Sequence, residues 1–247
     1  MKSEHPFFSI ITVCFNSAGT IRRTIQSVLE QSFTDYEYLI IDGGSTDNTL
    51  QIIQEYEPLF QGRMHWISEK DNGIYDAMNK GIRLAKGKYH NMLNSDDFLY
   101  HEDVLRKVAD EIIRNPGYGI YYGIEILRYA NGEEFMAARP HHSRLLHGNM
   151  IRHQAAFIQD TVHKKYGYST KYRMVADQDF FIRTFKDKVR FKPMDIITDV
   201  FSLVGLSGKN PDKSHIESCK MLYDHKILSR KNYILHRLKT FLRNKLC

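Results

Sequence analysis

Two closely spaced pairs of carboxylates stand out in the sequence. In the first pair, Asp96 and Asp97 are adjacent and follow an apolar run. Adjacent carboxylates repel each other unless a cation lies between them, and hard oxygen ligands suit Mg²⁺ or Mn²⁺, with a phosphate group completing the coordination shell. Helix capping by Ser95 or by one of the acids is the alternative. The pair therefore indicates either a metal site or the start of a helix.

The second pair, Asp177 and Asp179, lies at the predicted start of a helix. A carboxylate that stays ionised and within hydrogen-bond reach of a hydroxyl can act as a general base. Acidic residues are also common in the first turn of a helix, because they complement the helix dipole. The residues alone leave both interpretations open.

Histidines lie before and within a predicted strand over residues 150–158. His153, which Gln154 follows, is in that strand, and three more histidines precede it: His141, His142 and His147. Their spacing matches no zinc pattern, and a single histidine in a strand is more often a structural residue. We therefore predict no metal site at these histidines.

A glycine-containing turn, Asp-Gly-Gly-Ser-Thr-Asp at residues 42–47, joins a predicted strand to a predicted helix. Two glycines and several capping side chains are sufficient for a tight turn followed by an N-cap. The earlier strand-to-helix turn, residues 15–20, contains only Gly19. It therefore forms neither a G-x-G-x-x-G fingerprint nor a P-loop, which argues against dinucleotide enzymes and P-loop NTPases.

The elements that must position these residues alternate between strand and helix patterns in the first hundred residues. Apolar β-branched runs predict strands, and apolar residues at helical spacing predict the helices between them. The predicted strands cover residues 8–15, 36–42, 64–68 and 89–93. This alternation predicts an α/β fold with a mostly parallel, Rossmann-like sheet and helices on both faces.

Polar residues follow the predicted strands at their carboxyl ends, the edge at which open α/β sheets bind ligands. They are Asn16, Asp42, Asp71 and the pair Asp96 and Asp97. The second half of the chain is less regular. It contains predicted helices at 103–114 and 177–185 and predicted strands at 118–128 and 150–158.

The composition is that of a globular protein: the chain has 247 residues, of which 42% are hydrophobic and 26% charged. Its net charge of +6 is local, because the last 22 residues carry seven Lys or Arg and no acid. The remainder, with 28 basic and 29 acidic residues, is nearly neutral, which argues against a nucleic-acid groove. Three unpaired cysteines and the lack of a leader-like or membrane-spanning apolar run predict a cytoplasmic protein.

The basic C-terminal segment also carries apolar residues at helical spacing, which predicts an amphipathic helix. They are Ile234, Leu235, Leu238, Phe241, Leu242 and Leu246. A basic amphipathic helix binds anionic membrane surfaces, where each Lys or Arg contributes on the order of 1 kcal/mol. Docking of the apolar stripe on the body of the protein is the alternative, and the sequence leaves both open.

The order of four segments is more specific than any one of them. Residues 9–16, 39–49, 71–81 and 93–97 together resemble the family 2 glycosyltransferases with the GT-A fold, of the bacterial polysaccharide or lipopolysaccharide type. The resemblance is strong over residues 7–100 and continues to about 208. It implies a GT-A domain over 1–210, with a donor half at about 7–100, an acceptor half at about 101–210, and a helical basic tail at 211–247.

The resemblance implies roles for individual residues. The donor nucleotide-sugar would contact Thr12, Phe15, Asn16, Asp42, Asp71, Asn79, Lys80 and Asp96. Asp96 and Asp97 would hold Mn²⁺ or Mg²⁺, and His153 and Gln154 would line the acceptor pocket. Asp177, or alternatively Asp179, would deprotonate the acceptor hydroxyl, so that a single displacement inverts the anomeric centre.

Departures from the family pattern accompany the resemblance. Asn94 replaces the first acid of the metal motif, Met78 stands where many relatives carry Arg, and Ala176 replaces the Glu that often precedes the base. The implied donor is a UDP-sugar, or a GDP- or dTDP-sugar, and the implied acceptor is a glycan or lipid-linked saccharide. The alternatives are a metal-dependent nucleotidyltransferase and a non-catalytic nucleotide-sugar-binding protein.

Overall fold

The computed structural model describes residues 5–137, 141–147, 151–203, 211–236 and 239. Within these residues the strands are β1 Phe8–Cys14, β2 Tyr36–Asp42, β3 Met64–Ser68, β4 Tyr89–Met92, β5 Phe98–Leu99, β6 Ile120–Arg128, β7 Glu134–Met136, β8 Ala156–Gln159 and β9 Phe191–Ser202. The α-helices are α1 Ile21–Leu29, α2 Thr49–Tyr56, α3 Ile74–Leu84, α4 Val104–Arg114, α5 Asp160–Tyr166, α6 Ala176–Lys186 and α7 Pro211–Asp224. Residues 230–236 are also helical.

The strands form one mixed sheet in the order β3-β2-β1-β4-β8-β6-β9-β5, with β7 added beside β6. The first four are parallel to one another, as the alternating sequence pattern predicts. Beyond β4 the directions are mixed: β8 runs antiparallel to both β4 and β6, whereas β6 and β9 are parallel. The α/β prediction is confirmed, and the parallel part of the sheet coincides with the predicted donor half.

The strands β1 and β2 of the parallel part are buried at every position, on both faces of the sheet. In β1, Ile11 and Val13 pack with residues of α3 and α6, whereas Phe8 and Ile10 pack on the other face with residues of α1, α2 and α4. Full burial of such a side chain contributes about 1.5–3 kcal/mol. Residues that alternate along one strand therefore hold the helices on both faces of the sheet, and these layers fix where the strands end.

The second half of the chain is more regular than the sequence predicts. Strand β9 extends over 12 residues, but no strand was predicted there because Pro193 and the acids Asp195 and Asp199 interrupt its apolar pattern. The predicted strand at 150–158 is correct only in its later part. The residues His153–Ala155 form a 3₁₀ turn, so the placement of His153 and Gln154 in a strand is wrong.

The predicted C-terminal tail begins with α7, which packs on the body through the fully buried Met221. In the following helical segment, Ile234 and Leu235 are 46% and 45% exposed. The remaining apolar residues of the predicted stripe lie outside the described residues. Among the residues that are described, no helix combines the length and the apolar character that a membrane crossing requires.

Candidate active site

The carboxyl ends of the parallel strands bring the turns after β1, β2 and β4 together. Asn16, whose φ of 49° is one that asparagine tolerates, accepts a 2.9 Å hydrogen bond from Thr46 N–H and donates its own N–H to Ser45 Oγ at 2.7 Å. Ser17 Oγ lies 2.9 Å from Ser95 Oγ. Hydrogen bonds thus connect the first turn both to the glycine-containing turn and to the segment that holds the acid pair.

Asp42 is fully buried at the end of β2. Its carboxylate accepts hydrogen bonds from Gly44 N–H at 3.0 Å, from Ser45 N–H at 2.9 Å and from Ser68 Oγ at 2.7 Å. Gly44 has a φ of 83°, which residues with a side chain rarely adopt. Asp42, one of the residues that the family resemblance places at the donor, therefore shapes the turn after β2.

Phe15 is the exposed aromatic residue of this edge, with 62% of its surface accessible. A Cβ atom on Gly43 would lie in ordinary contact with Phe15 Cβ at 3.5 Å but only 3.1 Å from an oxygen of Asp71, so glycine lets Asp71 approach this closely without a shift. A flat ring beside a carboxylate can stack on a nucleobase while the acid accepts its N–H groups. The three residues have the chemistry of a base-binding pocket.

Lys80 neutralises the acids next to this pocket. Its ammonium group forms ion pairs with Asp71 and, at 2.9 Å, with Glu69. Burial raises the pKa of the Asp71 carboxyl, and the bond from Lys80 offsets only part of that effect. Lys80 therefore contacts Asp71, another residue predicted to bind the donor, and holds its carboxylate in place.

Two residues predicted to contact the donor use their polar groups inside the protein. Thr12 is fully buried and accepts a 3.0 Å hydrogen bond from Tyr38 Oη. Asn79 exchanges two hydrogen bonds of 2.8 Å with the backbone of Tyr168 and so ties α3 to the loop after α5. Met78, at the position where many relatives carry Arg, is buried in the core. These side chains support the site from within.

The members of the acid pair have different environments. Asp97 is fully buried, and its two oxygens accept hydrogen bonds from Gln154 Nε2 at 2.7 Å and from Ser202 N–H at 2.8 Å. Burial, and then the charge of Asp96, raise the pKa of the Asp97 carboxyl well above its usual range. Asp96 is only half-buried. The accessible carboxylate of the pair is therefore Asp96.

Two further buried acids lie behind the pair Asp96 and Asp97, and no sequence pattern predicted either of them. Glu125 and Asp199 are partners in the β6–β9 register, and Arg152 Nη1 lies 2.9 Å from Glu125 Oε2. Burial and the neighbouring Glu125 raise the pKa of Asp199 well above its usual range. Strand pairing alone brings these residues together, so no motif could have revealed them.

Asp177 lies at the start of α6 and receives a 3.0 Å hydrogen bond from Tyr75 Oη. Its other oxygen lies 3.3 Å from His153 Nδ1, and His153 Nε2 lies 3.3 Å from Asn94 Oδ1. Burial alone would raise the pKa of Asp177. The contacts with His153, Tyr75 and the Gln178 N–H outweigh burial, so the pKa is lower than the usual value of an aspartate. Asp177 is therefore ionised and connected through His153 to the segment that carries Asp96 and Asp97.

Asp179 has a different set of partners. Arg183 Nε lies 2.7 Å from one oxygen and His225 Nε2 lies 2.8 Å from the other. The residue lines a separate cleft of about 410 Å³ with Tyr166 and Tyr172, away from the ends of the parallel strands. Of the two candidate bases, Asp177 is the one that contacts the remaining site residues.

The sequence that forms this site matches a known protein family. The profile of glycosyl transferase family 2 matches residues 9–181, which include the carboxyl ends of β1, β2 and β4 and the helix start at Asp177. The chain belongs to glycosyl transferase family 2. It is therefore a transferase, and its resemblance to this family at the four ordered segments is confirmed.

Two proteins similar to this family 2 glycosyltransferase are named as a glycosyltransferase and as a synthase. It is 34% identical over 222 residues to a PGL/p-HBAD biosynthesis glycosyltransferase of Mycobacterium bovis strain BCG, which covers 87% of this chain and 85% of that protein. It is 38% identical over 117 residues to the chondroitin synthase of Escherichia coli, covering 47% of this chain and 17% of that protein.

Solved structures share the fold of this family 2 glycosyltransferase. S. aureus TarS 1–349 in complex with UDP-GlcNAc superposes with a TM-score of 0.69 at 17% identity, over 87% of this chain and 65% of that chain. The mannosyltransferase PcManGT from Pyrobaculum calidifontis, in complex with GDP-Man and Mn²⁺, gives 0.67 at 15% identity over 90% of this chain and 63% of that chain. The fold is GT-A, as predicted.

Proposed function

We propose that the protein is an inverting glycosyltransferase that moves a sugar from a nucleoside-diphosphate donor to a hydroxyl of a glycan or lipid-linked saccharide. One observation carries this proposal: Asp177 is held ionised by His153 and Tyr75, and His153 also contacts Asn94 of the acid motif. These contacts support a general base beside the acid motif, which would hold the cation and the diphosphate.

The nucleobase of the donor would stack on Phe15 and hydrogen-bond with Asp71, which Lys80 holds in place. The close approach that Gly43 permits supports this pocket. A UDP-sugar is the first candidate and a GDP- or dTDP-sugar the next, since the solved structures TarS and PcManGT have UDP-GlcNAc and GDP-Man bound. Asn16 contributes to the site by joining two of its turns.

A divalent cation, Mn²⁺ or Mg²⁺, fits the donor set at the acid motif. Asp96 is the half-buried carboxylate there, and hard oxygen ligands together with a diphosphate suit such an ion. Asp97 has both oxygens bonded within the protein and would hold the segment in place. When bound, the cation supplies positive charge that offsets the charge of the departing nucleoside diphosphate.

The residues of the chain supply the proton transfer. Asp177 would accept the proton of the attacking hydroxyl while the bond to the diphosphate breaks on the opposite face of the sugar. His153 and Tyr75 keep the carboxylate ionised and oriented. Gln154 holds Asp97 and thereby the acid motif, so we propose positioning roles for His153 and Gln154 beside the acceptor.

For the acceptor we propose a cell-surface polysaccharide or lipopolysaccharide precursor, met at an anionic membrane surface. The names of the relatives, PGL/p-HBAD biosynthesis glycosyltransferase and chondroitin synthase, support a glycan or glycoconjugate acceptor. The exposed Ile234 and Leu235, within a basic segment, support contact with a membrane surface.

A donor screen tests this function. UDP-, GDP- and dTDP-sugars are incubated with the protein and Mn²⁺ or Mg²⁺, and the released nucleotide is identified. We expect release of a nucleoside diphosphate from one donor class, with loss of turnover in Asp177→Asn. A parallel incubation contains a nucleoside triphosphate and a sugar 1-phosphate, and release of pyrophosphate there would instead show the nucleotidyltransferase. Binding of a nucleotide-sugar without any turnover would show the non-catalytic alternative.

A further inference from the structure

A cluster of three soft or borderline metal ligands joins α7 to the helical segment at 230–236. It consists of His215 and Cys219, four residues apart on α7, and His236 at the end of the described part of that segment. Residues at this spacing lie on one face of a helix. Their three ligand atoms lie within 4.8 Å of one another.

Two of the distances in the cluster match the edges of a tetrahedral zinc site. His236 Nδ1 lies 3.3 Å from His215 Nε2, and Cys219 Sγ lies 3.7 Å from the same nitrogen. Zn–N bonds of about 2.0–2.1 Å and a Zn–S bond of about 2.3 Å at tetrahedral angles place two nitrogens about 3.3 Å apart and a nitrogen and a sulfur about 3.6 Å apart. Two of the three edges therefore already have the lengths that a bound ion requires, and the third, between Cys219 Sγ and His236 Nδ1, is at most 4.8 Å.

We propose that His215, Cys219 and His236 form a zinc site with one coordination position left for water or another ligand. One thiolate and two imidazoles are a donor set that favours zinc over the hard cations Mg²⁺ and Mn²⁺. The site is thus chemically different from the carboxylate motif at Asp96, and it does not depend on the glycosyltransferase proposal.

The position of the cluster indicates what the ion does. Helix α7 is joined to the catalytic body, since Glu217 accepts hydrogen bonds from the backbone of Arg173 and Met174, just before the helix that carries Asp177. His236 belongs to the next helical segment. A zinc ion shared by the two would fasten the start of the basic C-terminal segment to the body and fix the direction in which that segment leaves it.

The test uses the full chain, stripped with a chelator and titrated with Zn²⁺ and then with Co²⁺. We expect one Zn²⁺ per chain that competes with Co²⁺, and a thiolate-to-cobalt charge-transfer band in the absorption spectrum. The variant Cys219→Ser loses the band, and His236→Ala weakens binding by about tenfold or more. His65→Ala, which changes an exposed histidine on β3, is the matched control and keeps both signals.

Circular dichroism of each variant verifies its fold before the metal measurements. Asp96→Asn separates the two sites, because it leaves the thiolate band unchanged. Absence of a thiolate band in the folded wild-type protein with Co²⁺ would overturn the proposal. So would a band and a Zn²⁺ stoichiometry that stay the same in folded Cys219→Ser.

Discussion

His153 Nδ1 lies 3.3 Å from Asp177 Oδ2. Through its other ring nitrogen, 3.3 Å from Asn94 Oδ1, the same side chain contacts the segment that carries the acid pair. Two segments that are far apart in sequence are therefore joined by one imidazole. Because the contact also lowers the pKa of Asp177, the ring determines both the position and the charge of the proposed base.

An Asp-to-Asn substitution should have different consequences at the two candidate bases, Asp177 and Asp179. Asp177→Asn removes the proton acceptor and should lower kcat by about 10²–10⁴, the range for loss of general-base catalysis. Asp179→Asn disturbs the contacts with Arg183 and His225 and should lower the melting temperature while keeping most of kcat. Steady-state kinetics and thermal unfolding of both variants check this; a larger kcat loss in Asp179→Asn would assign the base to Asp179.

Replacement of His153 should change the pH profile of the reaction. His153→Gln removes a contact that lowers the pKa of Asp177, so this pKa rises and the carboxylate is protonated at a higher pH. The acid limb of kcat/KM then moves to higher pH. A role of His153 in folding alone would reduce kcat/KM at every pH and leave the acid limb where it is in the wild-type protein.

Phe15 should affect donor binding more than the chemical step. Stacking of a base on an aromatic ring contributes about 1–3 kcal/mol, so Phe15→Ala should raise the donor KM by about 5- to 150-fold with little change in kcat. Phe135→Ala is the control, since this phenylalanine on β7 is 55% exposed. Equal donor KM values for the two variants would exclude stacking on Phe15.

The two residues of the acid pair should have different roles: Asp96 binds the metal ion, and Asp97 stabilises the fold. Asp96→Asn should raise the Mn²⁺ concentration needed for half-maximal activity and leave the free energy of unfolding nearly unchanged. Asp97→Ala leaves the buried Gln154 amide and the Ser202 N–H without their acceptor, at a cost of about 1–3 kcal/mol for each. Mn²⁺ titration of activity and urea unfolding measure the two effects, and reversed effects would make Asp97 the ligand.

A buried histidine should make stability depend on pH. Burial lowers the pKa of His90 to about 4, against about 6.5 in an unfolded chain, so the unfolded state binds the additional proton between these values. The contribution of neutral His90 to the free energy of unfolding is therefore fully present above about pH 6.5. It is lost as the pH falls towards 4, and the total loss is about 3 kcal/mol. The raised pKa values of Asp97 and Asp199 act in the opposite direction.

A pair of variants isolates the contribution of His90 from that of the acids. Urea unfolding between pH 7 and pH 4.5 should show a smaller loss of stability in His90→Gln than in the wild-type protein. His65→Gln, which changes an exposed histidine, should follow the wild type. Identical pH dependence in all three proteins would mean that His90 binds its proton equally well in the folded and unfolded states.

The sequence was sufficient to predict the α/β fold, the GT-A family and the edge of the sheet at which the motifs meet. The reason is local: β1 and β2 are mostly apolar, and the residues at their carboxyl ends follow directly in the chain. Asn16 and Asp42 were therefore placed correctly at the carboxyl ends of these strands. Ser68, which also donates to Asp42, comes from the end of β3, so the full burial of Asp42 could not be predicted from its own turn.

The rest of the site depends on long-range pairing that no local pattern encodes. The 3₁₀ turn at His153–Ala155 forms between β4, β6 and β9, and β9 itself is interrupted by Pro193. The contacts of Gln154 with Asp97 and of His153 with Asp177 follow from that arrangement. The choice between Asp177 and Asp179 likewise required the positions of Arg183 and His225.

The anomeric configuration of the product tests the central claim most directly. The donor class found in the screen is used with a saccharide acceptor, and the configuration of the transferred sugar is determined by NMR and compared with that in the donor. A single displacement assisted by Asp177 predicts the inverted anomer. A product that retains the donor configuration would contradict the role of Asp177 as the base of a single displacement.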